Sequence, residues 1–390
     1  MAAITDELSG QFFERAEAAR ALVTAMLARQ HSLLLGPPGA AKSDLARELT
    51  SRIDGAVYWE DLLNAFTDPK QIFGPIDVSA LMRGEYTQRL DGHATQAHIA
   101  FIDEIFKCGE GALSAMLGYL NERLYHPEAG GVPVRCPLLS AVTASNELPS
   151  GGAATAAFFD RLMVRIEVDY IQDPGNFAAL LRTGAMTALP QPGLTTVSLA
   201  DLQAAIEHEV PAVTVPDGAI DMIGKLRTAL RRRGLICSDR RWRQSVRLLQ
   251  AAAYLDGRAA VSDADLDILR HVLWDSTADR RPVAEEVLTL VNPDAKKALD
   301  LLDDITGIEA ELEAKAGQSA EHLSEWGVKE ANRKLSKAAG ELKAMRTAAA
   351  TAGRSTDAID EVAARLNAVY GRVATEALGM PAGMVGALQI

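Results

Sequence analysis

Gly36-Pro37-Pro38-Gly39-Ala40-Ala41-Lys42-Ser43 lies directly behind a short apolar run, Ser32-Leu33-Leu34-Leu35, and directly ahead of a helical pattern that continues from Ser43 to Ile53. A phosphate chain needs many hydrogen-bond donors at close range. Glycines let backbone N–H groups approach it, and a helix that starts where the loop ends offers its positive N-terminal end. In such a loop Lys42 reaches the β- and γ-phosphates, and Ser43 places its hydroxyl on Mg²⁺. Residues Gly36 to Ser43 are therefore expected to cradle a nucleoside triphosphate. One departure is Ala41, which stands where the general pattern has glycine, so its methyl must fit beside the phosphates without strain.

Working outward, the apolar run at 32–35 reads as a buried parallel strand. The alanine-rich stretch from Phe12 to Gln30 has helical spacing and is expected to be a helix leading into it. Further strands are expected at Val57-Tyr58-Trp59, at His98 to Asp103, within Val134 to Ala144, and at Val164 to Val168, with a helix from Gly111 to Arg123. Strands alternating with helices indicate an α/β fold built on a parallel sheet.

The strand Ile99-Ala100-Phe101-Ile102 ends in Asp103-Glu104. Beside a triphosphate, Asp103 is expected to hold Mg²⁺, usually through water, and Glu104 to take a proton from the attacking water or orient it. An acidic pair at a strand end can also cap a helix; it gains its meaning from the loop upstream. Ser140-Ala141-Val142-Thr143-Ala144-Ser145-Asn146 ends another strand in an amide, suited to the same water or to the γ-phosphate, although a turn asparagine before Glu147-Leu148-Pro149 looks alike. Arg161, in Phe158-Phe159-Asp160-Arg161, is a candidate to stabilise transition-state charge at a neighbouring subunit's site; a surface ion pair is the other reading. In Ser238-Asp239-Arg240-Arg241-Trp242-Arg243, Arg240 or Arg241 could touch the nucleotide from a helix start.

Composition narrows the partners. The chain has 390 residues with 48% hydrophobic content, enough for more than one domain, and a net charge of −12. The acidic balance disfavours nucleic acid and anionic membranes as general partners, although Arg231-Arg232-Arg233 is a local basic cluster. Cys108, Cys136 and Cys237 have no metal-ligand spacing and read as reduced thiols. Met1 to Leu8 is acidic and lacks an export-signal pattern, and no apolar run reaches the length of a membrane span; a cytoplasmic location without membrane insertion is expected.

Beyond about residue 171 the pattern turns helical, with start signals at Ser198, Pro216-Asp217, Ser238-Asp239 and Ser262-Asp263. Three regions are expected: an α/β nucleotide-binding domain over 1–190, a helical lid over 195–280, and a helical hairpin or bundle over 283–390. In the last, Leu301, Ile305, Ile308 and Leu312 form a narrow stripe. Ala331, Leu335, Ala338, Leu342 and Met345 form a second, and Ile359, Val362, Leu366, Val369 and Val373 a third. Breaks at Gly317-Gln318-Ser319 and Thr351 to Ser355 imply antiparallel helices.

Taken together these motifs resemble the MoxR branch of the AAA+ ATPases, and most closely its RavA-like members. The resemblance also takes in Phe73-Gly74-Pro75 to Leu81, Ile105, Asn121-Glu122-Arg123 and Ala144 to Pro149, and covers about residues 1 to 280. It implies that Lys42 and Ser43 are the Walker A pair, Asp103 and Glu104 the Walker B pair, Asn146 sensor 1, Arg161 the finger acting in trans, and Arg240, with Arg241 its rival, sensor 2. It implies ATP and Mg²⁺ as cofactors, and RavA-like members share alanine at the position of Ala41. Arg83 to His93 resembles the helix-2 insertion hairpin, and Leu124 to Arg135, with Pro127, Gly130, Gly131 and Pro133, the hairpin before sensor 1. A hexameric ring, a protein client and a partner with a von Willebrand factor A domain are implied as well. The expected function is an ATP-hydrolysing, client-remodelling machine. A nucleotide-gated scaffold with little turnover, a chelatase-like subunit and a DNA-associated motor are the alternatives.

Overall fold

The computed structural model describes all residues except 128–131, 150–151, 184–192, 316, 318, 382–385 and 389. The chain divides into two compact units, Met1–Asp221 with Gly234–Arg280, and Met222–Arg233 with Arg281–Ile390.

The first unit is organised by five parallel strands, β1 (His31–Leu35), β2 (Tyr58–Leu62), β3 (Ile99–Asp103), β4 (Ser140–Ser145) and β5 (Leu162–Glu167). Their order in the sheet is β2-β3-β4-β1-β5. The three central strands are buried along almost their whole length, which is why they read as unbroken apolar or small-residue runs rather than as alternations. Tyr58–Leu62 lies at the sheet edge and carries Glu60 and Asp61 where a central strand could not. His31, at the start of β1, is fully buried and pins the base of the sheet: its Nδ1 accepts from Ala141 N at 2.9 Å, so its Nε2–H donates to Leu120 O at 2.7 Å.

The helix expected over Phe12 to Gln30 is present as Ala16–Leu27, starting later than expected, and a separate helix, Ala2–Gln11, precedes it. The break is a physical one: Glu14 adopts a left-handed φ of 59°, which a helix cannot contain. Downstream, Ser198 and Ser238 cap helices Leu199–Ala204 and Asp239–Leu255 through their side chains, and Ser262 forms a capping box with Asp265 at a 3₁₀ segment.

In the second unit, helices Pro293–Lys315, Asn332–Thr351 and Asp357–Arg372 share one core, in which Ile305, Ile308, Leu312, Leu335, Leu342, Ile359, Val362, Leu366 and Val369 are buried. Ion pairs give the helix directions. Lys334 meets Glu311 and Arg346 meets Asp360, so consecutive helices are antiparallel. Arg354 meets Asp294 and Arg372 meets Glu309, so the first and third run together.

Candidate nucleotide site

The loop Gly36–Ala41 leaves the carboxyl end of β1 and enters the helix Lys42–Ser51. Gly36 N donates to Ser145 O at 3.0 Å, which ties the loop to the end of β4. A Cβ on Gly36 would lie 1.9 Å from Val168 O, so no other residue fits there without moving backbone. Ala41 holds a left-handed φ of 62°, the conformation that glycine usually supplies before the lysine. The loop is braced from outside. Arg15, 7% exposed, reaches Ala40 O with Nε at 3.4 Å and also donates to Asp169 O, while Tyr170 Oη donates to Pro38 O at 3.1 Å.

Because β1, β4 and β3 are neighbours, their carboxyl ends bring Lys42, Asn146 and Glu104 together. Lys42 Nζ donates to Gly36 O (2.5 Å), Pro37 O (2.8 Å) and Asn146 Oδ1 (3.1 Å). Asn146 Nδ2 donates to Glu104 Oε1 at 2.7 Å. Burial lowers the affinity of Lys42 for its proton, and the nearby Asp103 and Glu104 carboxylates oppose that shift. Glu104 has a left-handed φ of 52°, and its Oε2 is buried without a hydrogen-bond partner. Asp103 Oδ1 accepts from Glu104 N at 2.9 Å. Ser43 sits in the first turn of the helix, half-buried.

No group of three or more His, Cys, Asp or Glu side chains that could hold a metal occurs among the described residues. The oxygen set of Ser43 and Asp103 still fits Mg²⁺, which takes one or two protein ligands and completes its shell with phosphate and water oxygens.

A cavity of about 870 Å³ opens beside Gly39–Ala41. Its wall includes Phe12, Phe13, Tyr170, Ile171 and Phe177, with Asp44 and Arg47 on the polar side. Sequence reasoning did not single out this wall. The aromatic doublet Phe12-Phe13 at the head of an alanine-rich stretch was the one available signal. Glu14 fastens the wall together by accepting from Gln172 N at 2.8 Å and Asp173 N at 2.9 Å.

The arginines lie elsewhere. Arg161 ends the helix Ala153–Arg161, immediately before Leu162, which pairs with His31 at the amino end of β1. The phosphate loop is at the other end of that strand, about 13 Å away at roughly 3.3 Å per residue. Arg161 donates to Ala157 O at 2.7 Å, and its Nε is buried and unpartnered. Arg240 is on the same edge: it donates to Asn121 Oδ1 at 2.5 Å and lies 3.8 Å from Asp160. Burial, then the charge of Arg240, lower the proton affinity of Arg161. Arg241 is only 2% exposed and is consumed by Val272 O (2.6 Å), Asp160 (3.2 Å) and Asp275 (3.6 Å). The structure thus brings Lys42, Asn146, Asp103 and Glu104 together and brings neither Arg161, Arg240 nor Arg241 to them.

The segment expected to be the insertion hairpin, Arg83 to His93, belongs to a turn-back that starts earlier. Its two arms meet at a single antiparallel bridge, Ile76 with Gln88, flanked by Asp77 N to Thr87 O and Arg89 N to Pro75 O; between them lies the short helix Val78–Leu81, and Met82 just after it is 85% exposed. Gly74 starts it, where a Cβ would lie 1.9 Å from Arg89 O. In the second hairpin Leu124–Tyr125 pairs with Val134–Arg135; Gly130 and Gly131 lie outside the described residues. The two hairpins meet at their bases. Tyr125 stacks on Phe73 with ring centroids 4.5 Å apart and donates to Gln88 Oε1 at 3.1 Å.

Residues 1–205 match a family described as the MoxR domain in the MoxR-vWA-beta-propeller ternary systems, and residues 219–287 match an AAA lid domain. The chain belongs to the MoxR family of AAA+ ATPases. An uncharacterized protein of Methanocaldococcus jannaschii is 33% identical over 364 residues, 92% of this chain and 93% of that one. A second protein of the same organism is 34% identical over 298 residues, covering 76% and 77%. A solved structure from Cytophaga hutchinsonii shares the fold with a TM-score of 0.59 and 20% identity, over 74% of this chain and 93% of that one. The fold is the AAA+ α/β sheet with a helical lid and a helical C-terminal region. No helix among the described residues is long and apolar enough to cross a membrane.

Proposed function

We propose that this MoxR-family chain hydrolyses ATP with Mg²⁺ at sites completed by a neighbouring copy, and uses the cycle to remodel or activate a protein client. The observation that carries this reading is the separation of its parts. Lys42, Asn146 and Glu104 are hydrogen-bonded at the carboxyl ends of the strands, whereas Arg161 and Arg240 stand on the opposite edge.

In this reading the backbone of Gly36 to Ala41 and Lys42 bind the phosphates. Ser43 and Asp103 hold Mg²⁺, which supplies charge neutralisation at the phosphate oxygens. Glu104 takes a proton from the attacking water and Asn146 orients it. Arg161 of one copy stabilises charge at the next, with Arg240 rather than the buried Arg241 beside it. Catalysis is then mostly positioning and charge compensation. The aromatic cavity lined by Phe12, Tyr170 and Phe177 receives the base.

The division at 1–190, 195–280 and 283–390 belongs to the same proposal: motor, lid and tail. A hexameric ring in the cytoplasm, with the two hairpins toward the client, fits it. The order of motifs and Ala41 favour a RavA-like member. The matching family is described together with vWA and beta-propeller components, so a vWA-domain partner is proposed for this chain as well.

The test is a mixing experiment. Arg161→Ala and Glu104→Gln chains should each hydrolyse ATP slowly alone. Mixed, they should recover part of the wild-type rate, because some interfaces then combine an intact Glu104 with an intact Arg161. Absence of any recovery in a mixed assembly counts against shared sites.

A further inference from the structure

One charged side chain touches the Glu104 carboxylate without a part in the reading above. Lys107 Nζ lies 3.1 Å from Glu104 Oε1, the oxygen that also accepts from Asn146 at 2.7 Å. One carboxylate oxygen therefore has two donors. The other, Oε2, is buried and has none.

The backbone builds this contact. Ile105–Lys107 is a 3₁₀ turn closed by Lys107 N donating to Glu104 O at 2.9 Å. In 3₁₀ geometry the side chains of residues i and i+3 eclipse, so Lys107 is carried back over Glu104. The turn is anchored: Ile105 is fully buried, Phe106 lies edge-on against Phe159 with centroids 6.0 Å apart, and Cys108 Sγ donates to Ile105 O at 3.2 Å. Lys107 itself is 47% exposed, and a pair of that exposure adds little to folding stability.

We propose that Lys107 is a positioning residue for Glu104. With Asn146 it holds Oε1 and so fixes the orientation of the carboxylate that receives the proton of the attacking water. Two donors on one oxygen restrict the rotation of the carboxylate and keep it aimed at the nucleotide loop. In that step the water oxygen bonds to the γ-phosphorus and its proton passes to the Glu104 carboxylate. The bond from the γ-phosphorus to the bridging oxygen breaks, and its electron pair leaves with ADP. The inference rests on Glu104 being the base.

The experiment measures kcat and KM for ATP on the full chain and on Lys107→Met, Lys107→Arg and Glu104→Gln, with thermal melts alongside. Lys107→Met should melt like wild type, keep its KM, and lose roughly tenfold in kcat; Lys107→Arg should restore most of that loss. A wild-type kcat in Lys107→Met beside an inactive Glu104→Gln overturns the inference alone. So does a raised kcat, which would make Lys107 a restraint on Glu104, or a changed KM with unchanged kcat, which would move Lys107 to nucleotide binding. An arginine that restores nothing also overturns it. Normal turnover in Glu104→Gln removes the base and the inference together.

Discussion

Asn146 and Glu104 are hydrogen-bonded across the carboxyl ends of β4 and β3, Nδ2 to Oε1, at 2.7 Å. Because Asn146 Oδ1 also accepts from Lys42, the amide links the lysine proposed to bind phosphate to the carboxylate proposed to handle the water. Asn146→Ala should therefore bind ATP with little loss, since the loop and Lys42 remain, but turn it over about 10- to 100-fold more slowly. Equilibrium binding of ATP and steady-state hydrolysis, measured on the same preparation, check this. Loss of binding with unchanged kcat would place Asn146 on the nucleotide alone.

The loop makes opposite demands at its two ends. Ala41→Gly supplies the residue that suits the left-handed backbone but adds freedom to the unfolded chain. These terms nearly cancel, and stability should stay within about 1 kcal/mol of wild type. Gly36→Ala sets a methyl 1.9 Å from Val168 O and should cost about 3 kcal/mol or more, because a backbone carbonyl cannot step aside. Denaturant titrations of both variants test the contrast; an equally stable Gly36→Ala contradicts the close approach.

His31 gives the first unit a dependence on pH. Burial, assisted by the Arg123 charge, pulls its pKa down from 6.5 to about 3. The unfolded chain thus binds a proton below pH 6.5 that the folded chain refuses. Stability attributable to His31 is intact above pH 6.5 and falls, by about 1.4 kcal/mol per pH unit, as pH drops from 6.5 toward 3. A His31→Asn variant, even if weaker overall, should lack that slope between pH 6.5 and 4.5. Parallel slopes in the two proteins would show that His31 is not the group responsible.

Much of this was written locally. The apolar runs at 32–35 and 99–102 end in Gly36 and in Asp103-Glu104, so strand and chemistry are read off the same few residues. The stripe of Ile359, Val362, Leu366 and Val369 likewise shows a packed helix, because its period survives without tertiary information. What escaped depends on distant segments meeting. Phe12, Tyr170 and Phe177 form one wall only after folding, and helical periodicity passes straight through the break at Glu14. Arg240 and Arg241 are adjacent and chemically identical in the sequence. Their burial separates them: Arg241 is spent on Asp160, Asp275 and Val272 O, whereas Arg240 stays 37% exposed. Strand order was also beyond reach, although it is what places Asn146 between Lys42 and Glu104.

The central claim is that a copy of this chain supplies half of its neighbour's site. ATP turnover per chain should be measured over a wide range of protein concentration, with Lys42→Ala, which should bind no nucleotide, as the blank. The account predicts a specific rate that rises with concentration and then levels off as neighbours complete each site. A rate above the blank that is the same at every concentration, in protein shown to be monomeric at the dilute end, would contradict it.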